Sequence, residues 1–135
     1  MEYSSYVKKV IWNDWYYVKL AENYSTTFPE IFYNENPAID ICLEAVKENG
    51  LLLKFIEHQT EIVCAKAVQQ NGWALQYVKN QTENVCLAAV KQVGLALQLV
   101  ESQTLEICLA AVRNNPKAIR FVNTEFKKAC SAERL

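Results

Sequence analysis

The chain has 135 residues, 51% of them apolar and 21% charged, so it is long enough to bury a core as one soluble domain. Its net charge of −1 excludes the simplest kind of nucleic-acid binder, which carries a large excess of Lys and Arg. Only three Gly and three Pro interrupt the chain, and no apolar run approaches the length of a membrane-spanning helix, so the composition favours a soluble all-α fold.

Residues 1–36 are predicted to form a divergent, aromatic N-terminal cap followed by a connector. The segment 9–20 aligns with 67–78, so that Trp15 matches Trp73 and Tyr6 falls at a cysteine position. The register is lost over residues 22–35 and resumes near residue 36, so residues 24–36 are predicted to be a connector with a short helix around 29–33. The aromatic residues between Tyr3 and Tyr17 could either cover one end of a helical stack or form a dimer surface, and the sequence leaves both alternatives open.

Residues 37–135 are predicted to be a series of helical repeats. The five cysteines follow one another at intervals of 22 residues, and a scarce residue does not fall on one period by chance. They are Cys42, Cys64, Cys86, Cys108 and Cys130. The units align without gaps as 37–58, 59–80, 81–102 and 103–124, with a partial unit at 125–135.

Each unit is predicted to contain two helices joined by a turn. In the unit 81–102, Thr82 is a natural N-cap, and a stripe of apolar residues from Val85 to Val90 follows at helical spacing. Gly94 is predicted to end this helix, as Pro116 does in the next unit. The shorter helix that follows cannot stand alone, so neighbouring units must pack on one another. The predicted fold is therefore all-α, a small α-solenoid of stacked 22-residue helix-turn-helix repeats.

The recurring sequences QT…CLAAVKQ and NG-x-AL-Q-YV resemble a family of short two-helix repeats catalogued as a domain of unknown function. That family occurs in giant viruses, phages and bacteria, and the resemblance extends over roughly residues 36–130. It implies a helical-repeat fold, and it transfers no catalytic residue and no cofactor. By analogy, it also implies one specific role, that of a phage or viral inhibitor of a host or defence protein.

The cysteines are predicted to be small core residues. There is no C-x-x-C motif, and units stacked about 10 Å apart hold the thiols too far from one another for a disulfide or a zinc site. Reduced cysteines indicate a reducing, cytoplasmic location, and the N-terminus lacks the apolar stretch of a secretion signal.

No residue is predicted to be catalytic, to hold a cofactor or to ligate a metal. His58 occupies a junction position where other units carry polar turn residues, and Asp40, Glu44 and Glu48 are predicted to form a solvated helix face. We therefore expect a non-enzymatic protein, with no small-molecule substrate and no membrane partner.

Binding of another protein is the function that the repeat favours, because positions that vary between units are the ones that can recognise a partner. The candidate residues are Ile62, Lys66, Trp73 and Tyr77. Ile62 is apolar where other units carry polar residues, and tryptophan is enriched among the residues that dominate binding energy. Trp73 has an alternative interpretation, in which it only fills the seam between units.

Contact with RNA or DNA is the alternative function, because positive charge accumulates near the C-terminal end of the chain. The candidate residues are Arg113, Lys117, Arg120, Lys127 and Lys128. Phe121 and Phe126 are the only aromatic residues among them, whereas single-stranded nucleic acid is usually held by interleaved rings and cations.

Overall fold

The computed structural model describes residues 37–56 and 59–133, and within these ranges α-helices alternate with short 3₁₀ helices. In chain order the elements are α1 Pro37–Glu48, η1 Gly50–Phe55, α2 Glu61–Gln70, η2 Gly72–Tyr77, α3 Glu83–Gln92, η3 Gly94–Leu99, α4 Leu105–Asn114, η4 Pro116–Phe121 and α5 Thr124–Glu133. The predicted all-α fold of stacked repeats is confirmed. The predicted N-terminal cap and connector, together with His58, lie outside the described residues.

Threonine begins three of the α-helices, as predicted for Thr82. The Oγ1 atoms of Thr60, Thr82 and Thr104 each accept a hydrogen bond, at 3.3 Å, from the N–H three residues later. This bond satisfies one of the N–H groups that lack a partner in the first turn of a helix.

The second helix of each unit is a 3₁₀ helix of six residues. In η2, the N–H of Ala74 donates to the carbonyl of Asn71 at 2.9 Å, and the N–H of Val78 donates to that of Leu75 at 3.1 Å. With three residues per turn, side chains i and i+3 share one side of the helix. Two sides, which carry Ala74 and Leu75, are buried, and the third, which carries Trp73, faces outward.

The glycines mark the predicted position in each unit, but the predicted reason was wrong. Gly94 opens η3 instead of terminating α3, and none of the three glycines has the positive φ of a helix-ending glycine. A Cβ on Gly72 would lie 2.7 Å from the carbonyl oxygen of Ala89 in the next unit. Glycine is required because the following α-helix packs directly on this backbone. Pro116 likewise opens η4.

The α-helices form one layer and the 3₁₀ helices form the other, with the core between them. Each α-helix contacts the next α-helix, and each 3₁₀ helix contacts the next 3₁₀ helix. The predicted stripe of α3 from Val85 to Val90 supplies buried residues to this core. Among the described residues, no helix has the length and apolar character needed to cross a membrane.

Candidate partner-binding surfaces

A glutamine opens each of the units 59–80, 81–102 and 103–124, at the junction with the unit before it. Its side chain bonds to backbone groups at the end of its own unit, next to the following junction. Gln81 donates through Nε2 to the carbonyl of Leu99 at 2.9 Å and accepts through Oε1 from the N–H of Glu101 at 3.0 Å. Gln59 and Gln103 make the same two bonds in their own units. The amide that recurs in the sequence is therefore used inside the molecule.

Two other repeated contacts also join neighbouring units. The hydroxyl of Thr82 donates to Oε1 of Glu61 at 2.6 Å, and the N–H of Gly72 donates to Oε1 of Gln92 at 2.7 Å. Equivalent pairs recur at other units of the stack. The repeated polar residues therefore have hydrogen-bond partners within the chain.

All five cysteines are buried, which confirms their predicted place in the core. Burial raises the pKa of the thiols of Cys42, Cys64, Cys86 and Cys108 to about 11. Since the thiolate is the reactive form of cysteine, these thiols have the opposite character from a catalytic nucleophile. Three of them lie within hydrogen-bond distance of the junction glutamines.

Two of the acidic residues of α1 lie on a solvated helix face. Glu44 and Glu48 are exposed, and Glu44 lies 3.6 Å from the ammonium group of Lys47 on the same helix. The side chain of Asp40 lies outside the described part of the structure. Within that part, no group of His, Cys, Asp and Glu side chains has the arrangement of a metal site.

Ile62 and Lys66 lie on the outer face of α2, one turn apart. The side chain of Ile62 is 61% exposed, whereas Val63 and Val68, on the inner face of the same helix, are buried in the core. Gln69 follows on the same face and borders an open groove between α2 and α3. The groove is lined by Gln69, Asn84, Leu87, Ala88, Lys91 and Gln92.

Trp73 and Tyr77 belong to the opposite layer. Trp73 is half-buried on the outward side of η2, whereas Tyr77 packs against the core. The carbonyl of Tyr77 also accepts a hydrogen bond from Gln59 at 2.8 Å. The four predicted residues therefore do not form one surface, because the pair on α2 and the pair on η2 are separated by the core.

The five basic candidates are all exposed, but they are divided between the layers. Lys117 and Arg120 lie on the outward side of η4, and the guanidinium of Arg120 is 5.4 Å from the ring centre of Phe121. The other three are carried by the α-helical layer, Arg113 by α4 and Lys127 and Lys128 by α5. The structure thus does not gather the five cations into one patch.

Two features of these surfaces were missed by the sequence reasoning. Leu105 is 40% exposed at the start of α4, where α2 and α3 carry Glu61 and Glu83, and comparing these positions would have found it. The groove between α2 and α3 was also missed, because it depends on how two helices pack.

The predicted resemblance to a family of unknown function is confirmed by a family model. The family described as Domain of unknown function (DUF4116) matches twice, over residues 39–81 and 82–127, and each match spans about two 22-residue units. No match was found among curated proteins or among solved structures. Because the two matches together cover well over half of the sequence, the chain belongs to the DUF4116 family of domains of unknown function.

Proposed function

We propose that this chain is a non-catalytic repeat protein that binds another protein through the outer face of its α-helical layer. The observation that carries the proposal is the 61% exposure of Ile62 on α2. The groove between α2 and α3 is bordered by Gln69 on the same face of α2. The position of Ile62 is polar in the next two units, as Asn84 and Glu106, so folding of a unit does not require an apolar residue there.

An isoleucine that is exposed in the free chain gains free energy of binding when a partner protein covers it. Transfer of an isoleucine side chain from water to an apolar contact contributes roughly 1.5–3 kcal/mol. The groove is lined by half-buried Leu87 and Ala88 and by the amide-bearing side chains of Gln69, Asn84 and Gln92. A central apolar contact with a polar rim is typical of protein interfaces.

The non-catalytic part of the proposal is supported by the chemistry of the thiols, which burial holds in their protonated form. Reduced, buried cysteines also support a cytoplasmic location for this function. In its most specific form the proposal assigns the chain to the inhibitors of host or defence proteins, and this form is supported only by the phage and viral occurrence of the family.

Contact with nucleic acid is the second candidate, favoured by the exposed positions of the five basic side chains of α4, η4 and α5. Their division between two layers weakens this candidate. Phosphate binding requires cations that follow one strand or groove together.

The test compares the proteins and nucleic acids captured from host lysate by the full chain and by variants, with and without nuclease. We expect a nuclease-resistant protein that is lost with Ile62→Glu and retained with Leu105→Glu, the matched change at the other strongly exposed apolar residue. Capture of nucleic acid alone, abolished when Lys127 and Lys128 are changed to Glu, would overturn the proposal in favour of the second candidate.

A further inference from the structure

The 3₁₀ layer carries positive charge and no negative charge. Across the four helices η1 to η4, the charged residues are Lys54, Lys117 and Arg120, and none is acidic. Lys54 lies at one end of the layer and the other two lie at the opposite end, and all three are exposed. The ends therefore attract a negatively charged partner, while the middle of the layer is uncharged.

A row of large apolar side chains runs between these charged ends. Leu51, Trp73 and Leu95 occupy the second position of η1, η2 and η3, and all three are half-buried. Leu51 and Leu95 also pack in part against the core, which leaves Trp73 as the most outward of the three. Neighbouring 3₁₀ helices contact one another, so equivalent positions follow each other along the layer. On the same outward side, one turn later, Gln76 and Gln98 bond back to the carbonyls of Trp73 and Leu95, which keeps their amides close to the surface.

We propose that the outward side of the 3₁₀ layer is a docking surface for a segment of another protein that has an apolar centre and acidic ends. Charge complementarity selects this occupant, because an acidic end meets Lys54 and the other meets Lys117 and Arg120. Trp73 is the central anchor, since a tryptophan buries a large area at a small cost in conformational freedom. The surface lies across the core from Ile62, so it goes beyond the proposed function and does not depend on it.

Nucleic acid fits this surface less well. Leu51 and Leu95, on either side of Trp73, offer no ring on which a base can stack. The cations of the two ends, Lys54 and Arg120, are separated by about three helix spacings of roughly 10 Å, and the equivalent positions of η2 and η3 hold the uncharged Gln76 and Gln98. A strand of evenly spaced phosphates would therefore pass over an uncharged, apolar middle.

The test measures binding of fluorescent probes to the full chain by anisotropy. The first probe is a peptide with central leucines and aspartates at both ends. Its three controls are a peptide with lysines at the ends, a peptide with serines at the centre, and single-stranded oligouridine RNA. We expect the first peptide to bind at least tenfold more tightly than each control, with an affinity that falls as salt rises.

Variants then place the binding on this layer. We expect Trp73→Ala, Lys54→Glu and Arg120→Glu each to weaken binding of the first peptide at least tenfold, Trp73→Phe to retain most of it, and Ile62→Glu to leave it unchanged. Circular dichroism checks the fold, and if Trp73→Ala fails to fold, the two charge reversals at exposed positions carry the test. The proposal is overturned if the first peptide does not bind, if a control binds equally well, or if folded Trp73→Ala, Lys54→Glu and Arg120→Glu bind the first peptide normally.

Discussion

The three junctions that open with a glutamine differ from the junction that precedes α5. Gln59, Gln81 and Gln103 each bond to backbone groups of the following junction, but Glu125 occupies the equivalent position at the last one. Helix α5 also begins at Thr124, three residues before the register of α2, α3 and α4 would place it. The repeat therefore keeps its register only where the glutamine is present.

The burial of the large apolar side chain in each 3₁₀ helix also differs between the last unit and the units before it. Leu53, Leu75 and Leu97 are fully buried in η1, η2 and η3, but Ile119 at the equivalent position of η4 is only half-buried. An interior unit is covered on both sides by its neighbours, whereas a terminal unit is not. Pro116 stands where the other units have the glycine on which the next α-helix packs, and α5 accordingly packs less closely on η4 than α2, α3 and α4 do on the 3₁₀ helices before them.

The largest expected effect comes from a methyl group added at an internal junction. In Gly72→Ala the new Cβ would lie 2.7 Å from the carbonyl oxygen of Ala89 and 2.9 Å from Oε1 of Gln92, so two units must move apart. We expect the free energy of unfolding to fall by about 3 kcal/mol, at the upper end of the range for overpacking. Urea denaturation followed by circular dichroism measures this change.

Pro116→Ala is the matched control at the last junction. The side chain of Pro116 is exposed, and α5 does not pack closely on this part of η4, so we expect a change below about 1 kcal/mol. Equal costs for Gly72→Ala and Pro116→Ala would show that the two kinds of junction pack alike, contrary to the comparison.

A smaller loss is expected when a junction glutamine is removed. Gln81→Ala takes away the acceptor of the Glu101 N–H and the donor to the Leu99 carbonyl. We expect a loss of about 2 kcal/mol, since the two bonds, one part-buried and one exposed, each contribute roughly 1 kcal/mol. Gln98→Ala is the control, because Gln98 is exposed and bonds only within its own turn, and a cost as large as that of Gln81→Ala would contradict the role of the junction.

The sequence predicted the repeat from its 22-residue period, and it predicted the buried stripe and the threonine N-caps because each is encoded within one helix. The buried stripe from Val85 to Val90 follows from helical spacing, and Thr82 caps its helix through a contact only three residues away. These features require no knowledge of the neighbouring unit.

What the sequence did not predict depends on contacts beyond a single helix, several of them between units. The role of Gly72 is set by a carbonyl group 17 residues later, and that of Gln81 by a junction 18 to 20 residues later. The separation of Ile62 from Trp73 likewise depends on the two layers, because one unit in isolation does not show on which side of the core each helix lies. Patterns within a window of one helix carry no information of this kind.

The rates at which Cys86 and Cys130 are alkylated should show, in the unmutated chain, that α5 is held less firmly than α3. The pKa of the Cys86 thiol is raised to about 11 by burial, so at pH 8 a reagent such as iodoacetamide reacts mainly when the stack opens locally. Cys130 is fully buried on α5, the helix that no junction glutamine precedes. We expect Cys130 to be alkylated at least tenfold faster than Cys86, as read by mass spectrometry of peptides over time, and similar rates would mean that α5 opens only with the whole stack.

The same pKa values give the stability of the folded state a pH dependence. Folding holds the thiols of Cys64, Cys86 and Cys108 in the protonated form, with pKa values raised from the ordinary 9.0 to about 11. Their contribution is complete below pH 9 and is lost as the pH rises from 9 towards 11, because the unfolded chain releases its protons first. Cys86→Ala should reduce the loss of stability between these two pH values, measured as the change in urea midpoint.

The smallest effect is expected where one internal unit lacks a contact that the others have. Asn49, Asn71 and Asn115 each accept a hydrogen bond from the N–H two residues later at the start of a 3₁₀ helix, but Val93 makes no such bond. The backbone of Val93, with φ −137° and ψ 104°, is close to that of Asn71, with φ −149° and ψ 109°, so an asparagine fits without rearrangement.

We expect Val93→Asn to stabilise the fold by about 0.5 kcal/mol. A capping bond contributes roughly 1 kcal/mol, and part of that is offset by the apolar surface that half-buried Val93 places against the core. Asn71→Val is the reciprocal control and should destabilise the fold by about 1 kcal/mol in the same urea experiment. If Val93→Asn destabilises the fold instead, the apolar contact of Val93 outweighs the capping bond. The stability of the internal units then depends more on packing between units than on the hydrogen bonds that begin each 3₁₀ helix.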